Sequence, residues 1–171
     1  AFRADHVGYI FQQFNLLPYL SVLDNVLLPC RFSAPRRDRA AADAGSPADA
    51  ARRLLGRIGL RDALWVRPAA QLSVGQQQRV AAARALIGGP ALVIADEPTS
   101  ALDVTVQLQV LRILDRLVAE RGMGLIFVSH DLRLVSSFCD RILVMYAGRV
   151  VEQIESGRLH EATHPYTRGL L

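Results

Sequence analysis

Residues 91–103, ALVIADEPTSALD, join an unbroken apolar run to two adjacent carboxylates, and this combination decides the fold. Five apolar residues in succession predict a central parallel strand that is covered on both faces. Asp96 and Glu97 follow at the carboxyl end of that strand, where open α/β sheets bind their ligands. The stretch therefore predicts an α/β fold with a ligand site at the tip of this strand.

The preceding motif, LSVGQQQR at residues 72–79, predicts the start of a helix that can bind an anion. Ser73 is a natural N-cap for a helix over residues 75–87, which Gly88, Gly89 and Pro90 would end. Gly75 has no side chain to block the approach of backbone N–H groups to a phosphate. A serine cap followed by glycine is common, so the signal depends on the helical continuation.

Two other predicted strands also end in polar side chains. Residues 5–11 alternate Val, Tyr and Phe as a strand does, and Gln12 follows them. Residues 125–128 predict another buried strand, and His130 comes two residues later. A lone Gln or His after a strand is usually only a loop residue. The prediction that Gln12 and His130 are functional therefore depends on the order in which all of these motifs occur along the chain.

Taken together, these motifs resemble the signature loop, Walker B strand and D-loop of ABC-type ATPases. The resemblance implies an α/β fold, a truncated P-loop NTPase (RecA-like) core with an inserted helical subdomain. The core would comprise residues 1–13 and 89–155, the helical subdomain with its signature loop residues 14–88, and a C-terminal extension residues 156–171. The family usually has two consecutive glycines in the signature loop, whereas this chain has Val74 and Gly75.

The same resemblance implies roles in the hydrolysis of ATP. Glu97 would polarise the attacking water, and His130 would touch the γ-phosphate and keep Glu97 and the water in line. Mg²⁺ would be held by Gln12 and, through water, by Asp96. The residues implied to bind the nucleotide are Gln12, Ser73, Gly75, Gln76, Asp96 and Asp103, of which the last belongs to the D-loop that contacts the partner subunit's site.

The family couples ATP hydrolysis to transport, so the expected partners are transmembrane permease subunits and a second ATPase subunit, identical or different. The expected location is cytoplasmic, peripheral on the inner face of the membrane. Residues 7–103, with FQQFNLLP at 11–18, resemble the lipoprotein-releasing and macrolide-exporting ATPases. From residue 104 on, with MYAGR at 145–149 and HPYT at 164–167, the chain resembles the dipeptide and oligopeptide importers. A peptide and a lipoprotein or lipid-like substrate, and import and export, all stay open.

The 171-residue chain contains no lysine, since all 20 of its cationic side chains are arginines. A phosphate-binding loop of the form G-x-x-x-x-G-K-[ST] therefore does not occur in it, and an adenine-stacking aromatic upstream of such a loop is missing too. We expect the chain to be a fragment that binds ATP weakly alone but completes a site on an intact partner. The alternative is a hydrolysis-incompetent dimerisation partner.

Composition narrows the remaining classes of function. The arginines are dispersed among acidic residues without interleaved aromatics, so no nucleic acid is expected despite a net charge of +4. A rival, a soluble ABC protein acting on DNA or ribosomes, predicts salt-dependent nucleic-acid binding. Cys30 and Cys139 are too scattered for a disulfide framework, and His160 and His164 lack a third metal ligand. No apolar run reaches the roughly 18 residues that span a membrane.

Local signals place the other elements. Ser21 predicts a cap for a short helix ending at Pro29, residues 31–44 suit a helix or a mobile insertion, and Ser46 with Pro47 predicts another helix start. The apolar loop 14–20 either packs inward or borders the permease. A further prediction is an amphipathic helix over 104–121 that Gly122 ends, with an apolar face formed by Leu108, Leu111, Leu114 or Asp115, and Val118. The last predictions are a helix over 132–139 capped by Asp131, and strands over 142–146 and 149–154 joined at Ala147 and Gly148.

Overall fold

The computed structural model describes residues 2–99 and 104–171, and it divides them into two compact units, residues up to Ile126 and from Phe127 on. The helices are α1 (Phe2–His6), α2 (Val22–Phe32), α3 (Ala34–Ala44), α4 (Pro47–Arg57), α5 (Val74–Leu86), α6 (Val104–Glu120), α7 (Leu132–Phe138) and α8 (Pro165–Leu170). The strands are β1 (Val7–Ile10), β2 (Leu92–Asp96), β3 (Gly124–Val128), β4 (Arg141–Tyr146) and β5 (Arg149–Glu155). None of the described helices has both the length and the apolar character needed to cross a membrane.

A three-stranded sheet in the order β1–β2–β3 confirms the predicted α/β class. β1 and β2 run parallel, with Val7 opposite Leu92 and Ile10 opposite Ala95. β1 is shorter than predicted, because residues 2–6 form a helix and Asp5 is held by tertiary bonds instead of a strand ladder. The Ser33 hydroxyl donates to its carboxylate at 2.6 Å. Tertiary contacts therefore override the alternating pattern at the start of this strand.

The burial of the sheet differs from the prediction of strands covered on both faces. Val93 and Ala95 of β2 are fully buried, whereas the alternate residues are only partly buried. In β3, Ile126 is 49% exposed and Val128 46% exposed, so the expected burial of this strand is wrong. The reason is position, since β3 lies at the edge of the described sheet and an apolar run alone does not reveal whether a face is covered.

Helix α2 begins at Ser21 as predicted but does not end at Pro29. The Ser21 hydroxyl accepts the Asp24 N–H at 3.0 Å, and the helix continues to Phe32. Proline removes one helical hydrogen bond at a cost of about 3 kcal/mol. Burial of Val22, Val26 and Cys30 along one face offsets that cost, which explains why the helix passes through the proline.

The segment left open as helix or insertion is helix α3, capped by the Ser33 hydroxyl on the Arg36 N–H. Helix α4 begins at its predicted cap, where the Ser46 hydroxyl accepts the Asp49 N–H at 3.0 Å. Its buried side chains are Ala50, Ala51, Leu54 and Leu55, and α2 packs against α3, α4 and α5. These helices lie where a helical subdomain was predicted, although the division into subdomain and core stays a prediction.

Helix α6 covers the predicted span and buries Leu111, Leu114 and Val118 of the predicted apolar face. Leu108 is 44% exposed, so its placement on the apolar face is wrong. The buried side chains are Val110, Leu111, Leu114, Leu117 and Val118. The sequence has leucines on both sides of the helix, and only packing decides which of them is covered.

The second unit is organised around the antiparallel hairpin of β4 and β5. Ala147 (φ 47°) and Gly148 (φ 75°) form the predicted turn, in which both central residues are left-handed. Helix α7 is capped by Asp131 as predicted and packs on β4 through Leu132 and Val135. The tail returns to the hairpin, where the Glu152 carboxylate accepts hydrogen bonds from backbone N–H groups of the tail.

We expect acid to release this tail. The Oε1 of Glu152 accepts the Thr163 N–H at 2.7 Å and the His164 N–H at 3.2 Å. The Thr167 hydroxyl, together with these N–H groups, lowers the pKa of Glu152 to about 2 from 4.5. Because the folded pKa is depressed, the stabilisation is complete above pH 4.5 and is lost as the pH falls toward 2.

The measurement is the NMR shift of the Thr163 amide across this pH range. Glu152→Gln should remove the dependence, whereas Glu155→Gln on the same strand should retain it because Glu155 accepts neither of these N–H groups. A Thr163 shift that titrates identically in both variants would contradict the assignment.

Candidate functional site

The tip of β2 presents the two predicted carboxylates. Asp96 is the last residue of the strand, and Glu97 follows with φ +47°, a left-handed conformation that side chains other than glycine rarely adopt. Such a conformation costs about 1–3 kcal/mol and persists only where the surroundings enforce it. Pro98 and Thr99, which follow, are buried and hold the turn in place. Glu97 thus leaves the strand direction and is separated from Asp96 by a sharp bend.

Gln12 lies beside this tip because β1 and β2 are neighbours. Ile10 is paired with Ala95, so Gln12 lies two residues and Asp96 one residue beyond the last pair. Gln12 is exposed in a turn in which the Phe14 N–H donates to the Phe11 carbonyl at 3.0 Å. The structure therefore brings Gln12, Asp96 and Glu97 to one edge of the sheet.

The N-terminus of α5 forms the predicted capping arrangement around Ser73. The Ser73 hydroxyl accepts the Gln76 N–H at 3.4 Å, and the Gln76 side-chain oxygen accepts the Ser73 N–H at 3.0 Å. The N–H groups of Val74 and Gly75 precede the first helical bond and have no acceptor within the helix. Ser73 is exposed, so this positive helix end is accessible to an anion. Gln76, predicted to bind nucleotide, uses its side-chain oxygen to close the cap.

The remaining predicted site residues fall elsewhere. His130 follows β3 and belongs to the second unit, next to Asp131, whose N–H donates to the Ser129 hydroxyl at 3.1 Å. Asp103, predicted as the D-loop acid, lies outside the described residues. The structure therefore gathers Gln12, Asp96 and Glu97, and the roles of His130 and Asp103 stay predictions.

The donor chemistry at the β2 tip fits a magnesium ion. Mg²⁺ prefers oxygen ligands and keeps several waters, so it needs only one or two protein carboxylates beside a phosphate. Asp96 offers a carboxylate and Gln12 an amide oxygen. Nowhere in residues 2–99 and 104–171 do three or more His, Cys, Asp or Glu residues gather as an all-protein metal cage. The site fits a metal that is bound together with a nucleotide.

One contact at this site has no signal in the sequence. The Arg84 guanidinium, near the far end of α5, donates to the carbonyls of Phe14 and Asn15 directly after the turn of Gln12. The residues lie 69 and 70 positions apart, and no local pattern marks such a pairing. The positive φ angles of Phe14 and Asn15 also become visible only in the folded backbone.

Comparison with known proteins gives a family match. A family model described as ABC transporter matches residues 1–100. A peptide import ATP-binding protein from Brucella melitensis is 42% identical over 179 aligned positions, covering 99% of this chain and 50% of the relative. The macrolide export ATP-binding/permease protein MacB from Rhodopirellula baltica is 40% identical over 154 positions, covering 90% of this chain and 22% of MacB.

Solved structures agree with the sequence matches. The dimeric ATP-binding cassette MJ0796, in a post-hydrolysis state with ADP and Pi, superposes with a TM-score of 0.70 at 35% identity. The match covers 90% of this chain and 64% of that one. The chain spans about half the length of the peptide import relative that it matches.

Proposed function

The chain belongs to the ABC transporter family, and from this premise we propose that it is part of the ATP-binding subunit of a transporter. The subunit would couple ATP hydrolysis to movement of a substrate through a membrane permease. The single observation that carries the proposal is the grouping of Gln12, Asp96 and Glu97 at adjacent strand ends. Peptides are the favoured substrate class, because the peptide import relative aligns with 99% of the chain.

The chemistry proposed for the site is mainly one of positioning and charge. Asp96 and Gln12 would hold Mg²⁺, which would neutralise charge on the phosphates. Glu97 accepts a hydrogen bond from the attacking water and orients it toward the γ-phosphorus, and the bend at Glu97 moves its carboxylate off the strand. His130 contacts the γ-phosphate, and Asp103 contacts the partner's site.

Ser73 and Gly75 act in the site of a second subunit. The exposed N-terminus of α5 would donate N–H groups to a γ-phosphate that the partner holds in its own lysine-bearing loop. The dimeric cassette structures among the matches support this pairing of subunits. The proposal therefore includes a second ATPase subunit, identical or different.

Two exposed apolar side chains are candidate contacts for the permease. Tyr19 is 73% exposed and Val66 79% exposed, on two segments joined by a bridge between Ser21 and Pro68. The prediction that the loop simply packs inward is wrong for Tyr19, although Leu16 and Leu17 are partly buried. Because this bridge is antiparallel, Tyr19 and Val66 lie on opposite sides of it, so a permease would contact them at two separate points.

A second candidate function is a dimerisation partner that does not hydrolyse ATP at its own site. The observation that favours it is the lysine-free sequence, which provides no cationic phosphate loop. Under this reading the chain contributes only Ser73 and its helix end to the partner's site. The two functions differ in whether Glu97 ever faces a bound nucleotide.

We expect the 171-residue chain alone to bind ATP with a Kd above about 1 mM, because the lysine-bearing phosphate cradle is missing. ATP turnover should appear when the chain is mixed with an intact relative whose own counterpart of Ser73 has been replaced by aspartate. Only this chain can then complete a site. Isothermal titration and phosphate release measure the two quantities.

Tight ATP binding by the isolated chain would contradict the first expectation. Turnover that stays at the level of the disabled relative would contradict both candidate functions, because both require Ser73 to complete a partner's site, provided that analytical ultracentrifugation shows a mixed dimer.

A further inference from the structure

The turn that carries Gln12 has an unfavourable backbone. Phe14 has φ +62° and Asn15 φ +49°, two consecutive left-handed residues that are not glycine. Asparagine tolerates this region, but phenylalanine has no polar side chain to compensate locally. Two short turn bonds, from the Phe14 N–H to Phe11 and from the Asn15 N–H to Gln13, accompany the conformation. Contacts from outside the turn must therefore stabilise it.

Arg84 of α5 supplies such contacts on the Gln12 side. Its Nη2 donates to the Phe14 carbonyl and its Nη1 to the Asn15 carbonyl, both at 2.6 Å. A planar guanidinium that bonds two successive carbonyls fixes their direction as well as their distance. Burial lowers the pKa of Arg84, and no acidic side chain in the described part of the chain pairs with it. The carbonyls of this turn are therefore its structural partners.

The far end of the loop has its own anchor on another helix. Asn25 of α2 is fully buried, accepts the Leu17 N–H at 2.8 Å and donates to the Leu17 carbonyl at 3.0 Å. Loss of Arg84 would leave this anchor in place. The effect of Arg84 is thus confined to the residues nearest Gln12.

Arg84 shares its helix with Ser73. The two residues are 11 positions apart on α5, or roughly 16 Å at 1.5 Å per residue. Between them Val80, Ala81 and Ala83 are fully buried, so the helix is held along its length. The anion-binding end of α5 and the guanidinium that binds the turn of Gln12 therefore belong to one helix that is buried along its middle.

We propose that Arg84 is a positioning residue that fixes the turn of Gln12 relative to the Ser73 end of α5. Its importance for catalysis rests on the function proposed above, whereas its effect on the turn does not. A movement of Ser73 upon binding a partner's nucleotide would reach Gln12 through Arg84. Residues from two separate motifs would in this way move together.

The test is hydrogen exchange of the 171-residue chain, with Arg84→Met compared with Arg39→Met. Arg39 is a matched control, since it is also partly buried and also donates to two main-chain carbonyls, those of Gly88 and Asp5. Arg84→Met should raise exchange at the Phe14 and Asn15 amides about tenfold or more, and Arg39→Met less than about twofold. Arg84→Lys should fall between, because one ammonium cannot reproduce the fork.

Equal exchange at these amides in the two methionine variants would overturn the proposal, since destabilisation in general would then explain the result. So would unchanged exchange in Arg84→Met. Exchange rates are compared at the same number of degrees below each variant's thermal midpoint. This separates local opening of the turn from global unfolding.

A second readout tests the consequence for turnover. In an intact relative, the methionine variant at the counterpart of Arg84 should lower kcat about tenfold and weaken the apparent Mg²⁺ affinity while leaving the KM for ATP unchanged. A raised KM with normal kcat would overturn the positioning role in catalysis. If the wild-type mixture shows no turnover, the proposed function fails, and the exchange result alone decides the role of Arg84.

Discussion

Replacing Ser73 with aspartate is expected to reduce the turnover of the mixed dimer by at least about 100-fold. Aspartate caps a helix as well as serine does, so α5 should begin at the same residue. Its carboxylate, however, would lie where the partner's γ-phosphate meets the helix end. Two like charges about 4 Å apart repel by about 4 kcal/mol at an effective dielectric constant of about 20, which approaches a 1,000-fold loss. Phosphate release by the mixed dimer measures the effect.

Two control variants test whether the loss of turnover in Ser73→Asp comes from its charge, and not from the size of the side chain or from a changed helix cap. Ser73→Asn retains the cap and nearly the size of aspartate without its charge, so it should lose about tenfold less activity than Ser73→Asp. Ser46→Asn changes the cap of α4, which has no proposed ligand, and should leave turnover unchanged. Full activity in Ser73→Asp, with the mixed dimer intact, would show that this helix end does not meet the phosphate.

Replacing Arg36 with methionine is expected to destabilise the fold by about 2–4 kcal/mol. Arg36 is 3% exposed, and its guanidinium donates to the carbonyls of Ala85, Ile87 and Val7. Each buried carbonyl left without a donor costs about 1–3 kcal/mol. Removing the charge also removes its desolvation cost, which lowers the pKa of Arg36 to about 10, so the net loss is smaller than the full sum.

The expected loss of stability is large because the Arg36 guanidinium lies where three elements meet, a contact that we call the seam. It connects α3 to β1 and to the end of α5, where two glycines permit the close approach. A Cβ at Gly8 would overlap the Ala85 carbonyl, and a Cβ at Gly88, which also has φ +69°, would overlap the Arg36 backbone. The chain can therefore not close this seam by moving its backbone inward after the guanidinium is lost.

Urea unfolding measures the difference, read from the midpoint at constant m-value. Arg37→Met is the matched control one residue away, since Arg37 is exposed and, among the described residues, its side chain pairs with Asp38 alone. It should change stability by less than about 0.5 kcal/mol. Equal urea midpoints for the two variants would contradict the stabilising role of Arg36 at the seam. Arg36→Lys should have an intermediate midpoint, because lysine makes fewer directed bonds.

Predictions from local signals were the most successful. The caps at Ser21, Ser46, Ser73 and Asp131 all accept the N–H group three residues on, as their spacing predicts. The turn at Ala147 and Gly148 and the helix stop at Gly122 depend on left-handed backbone, which glycine permits. These features involve neighbours within a few residues, so the sequence contains all the partners.

Predictions that depended on burial were less successful. The apolar runs in β2 and β3 predict the strands but not which faces are covered, and Leu108 shows the same failure on a helix. Pro29 predicts a helix end when only α2 is considered, yet burial of the surrounding face carries the helix past it. In each case the deciding energy comes from contacts with distant elements.

The sequence by itself determined the α/β class, the order of the motifs and the residue types at the strand tips and helix start, because these follow from short-range periodicity and capping. The tertiary structure alone decided that Gln12 lies beside Asp96, that Glu97 bends away from its strand, and that Arg36 and Arg84 bind carbonyls of distant segments. The physical reason is that a guanidinium can bond to any exposed carbonyl, so its partner is chosen only when packing brings the two together.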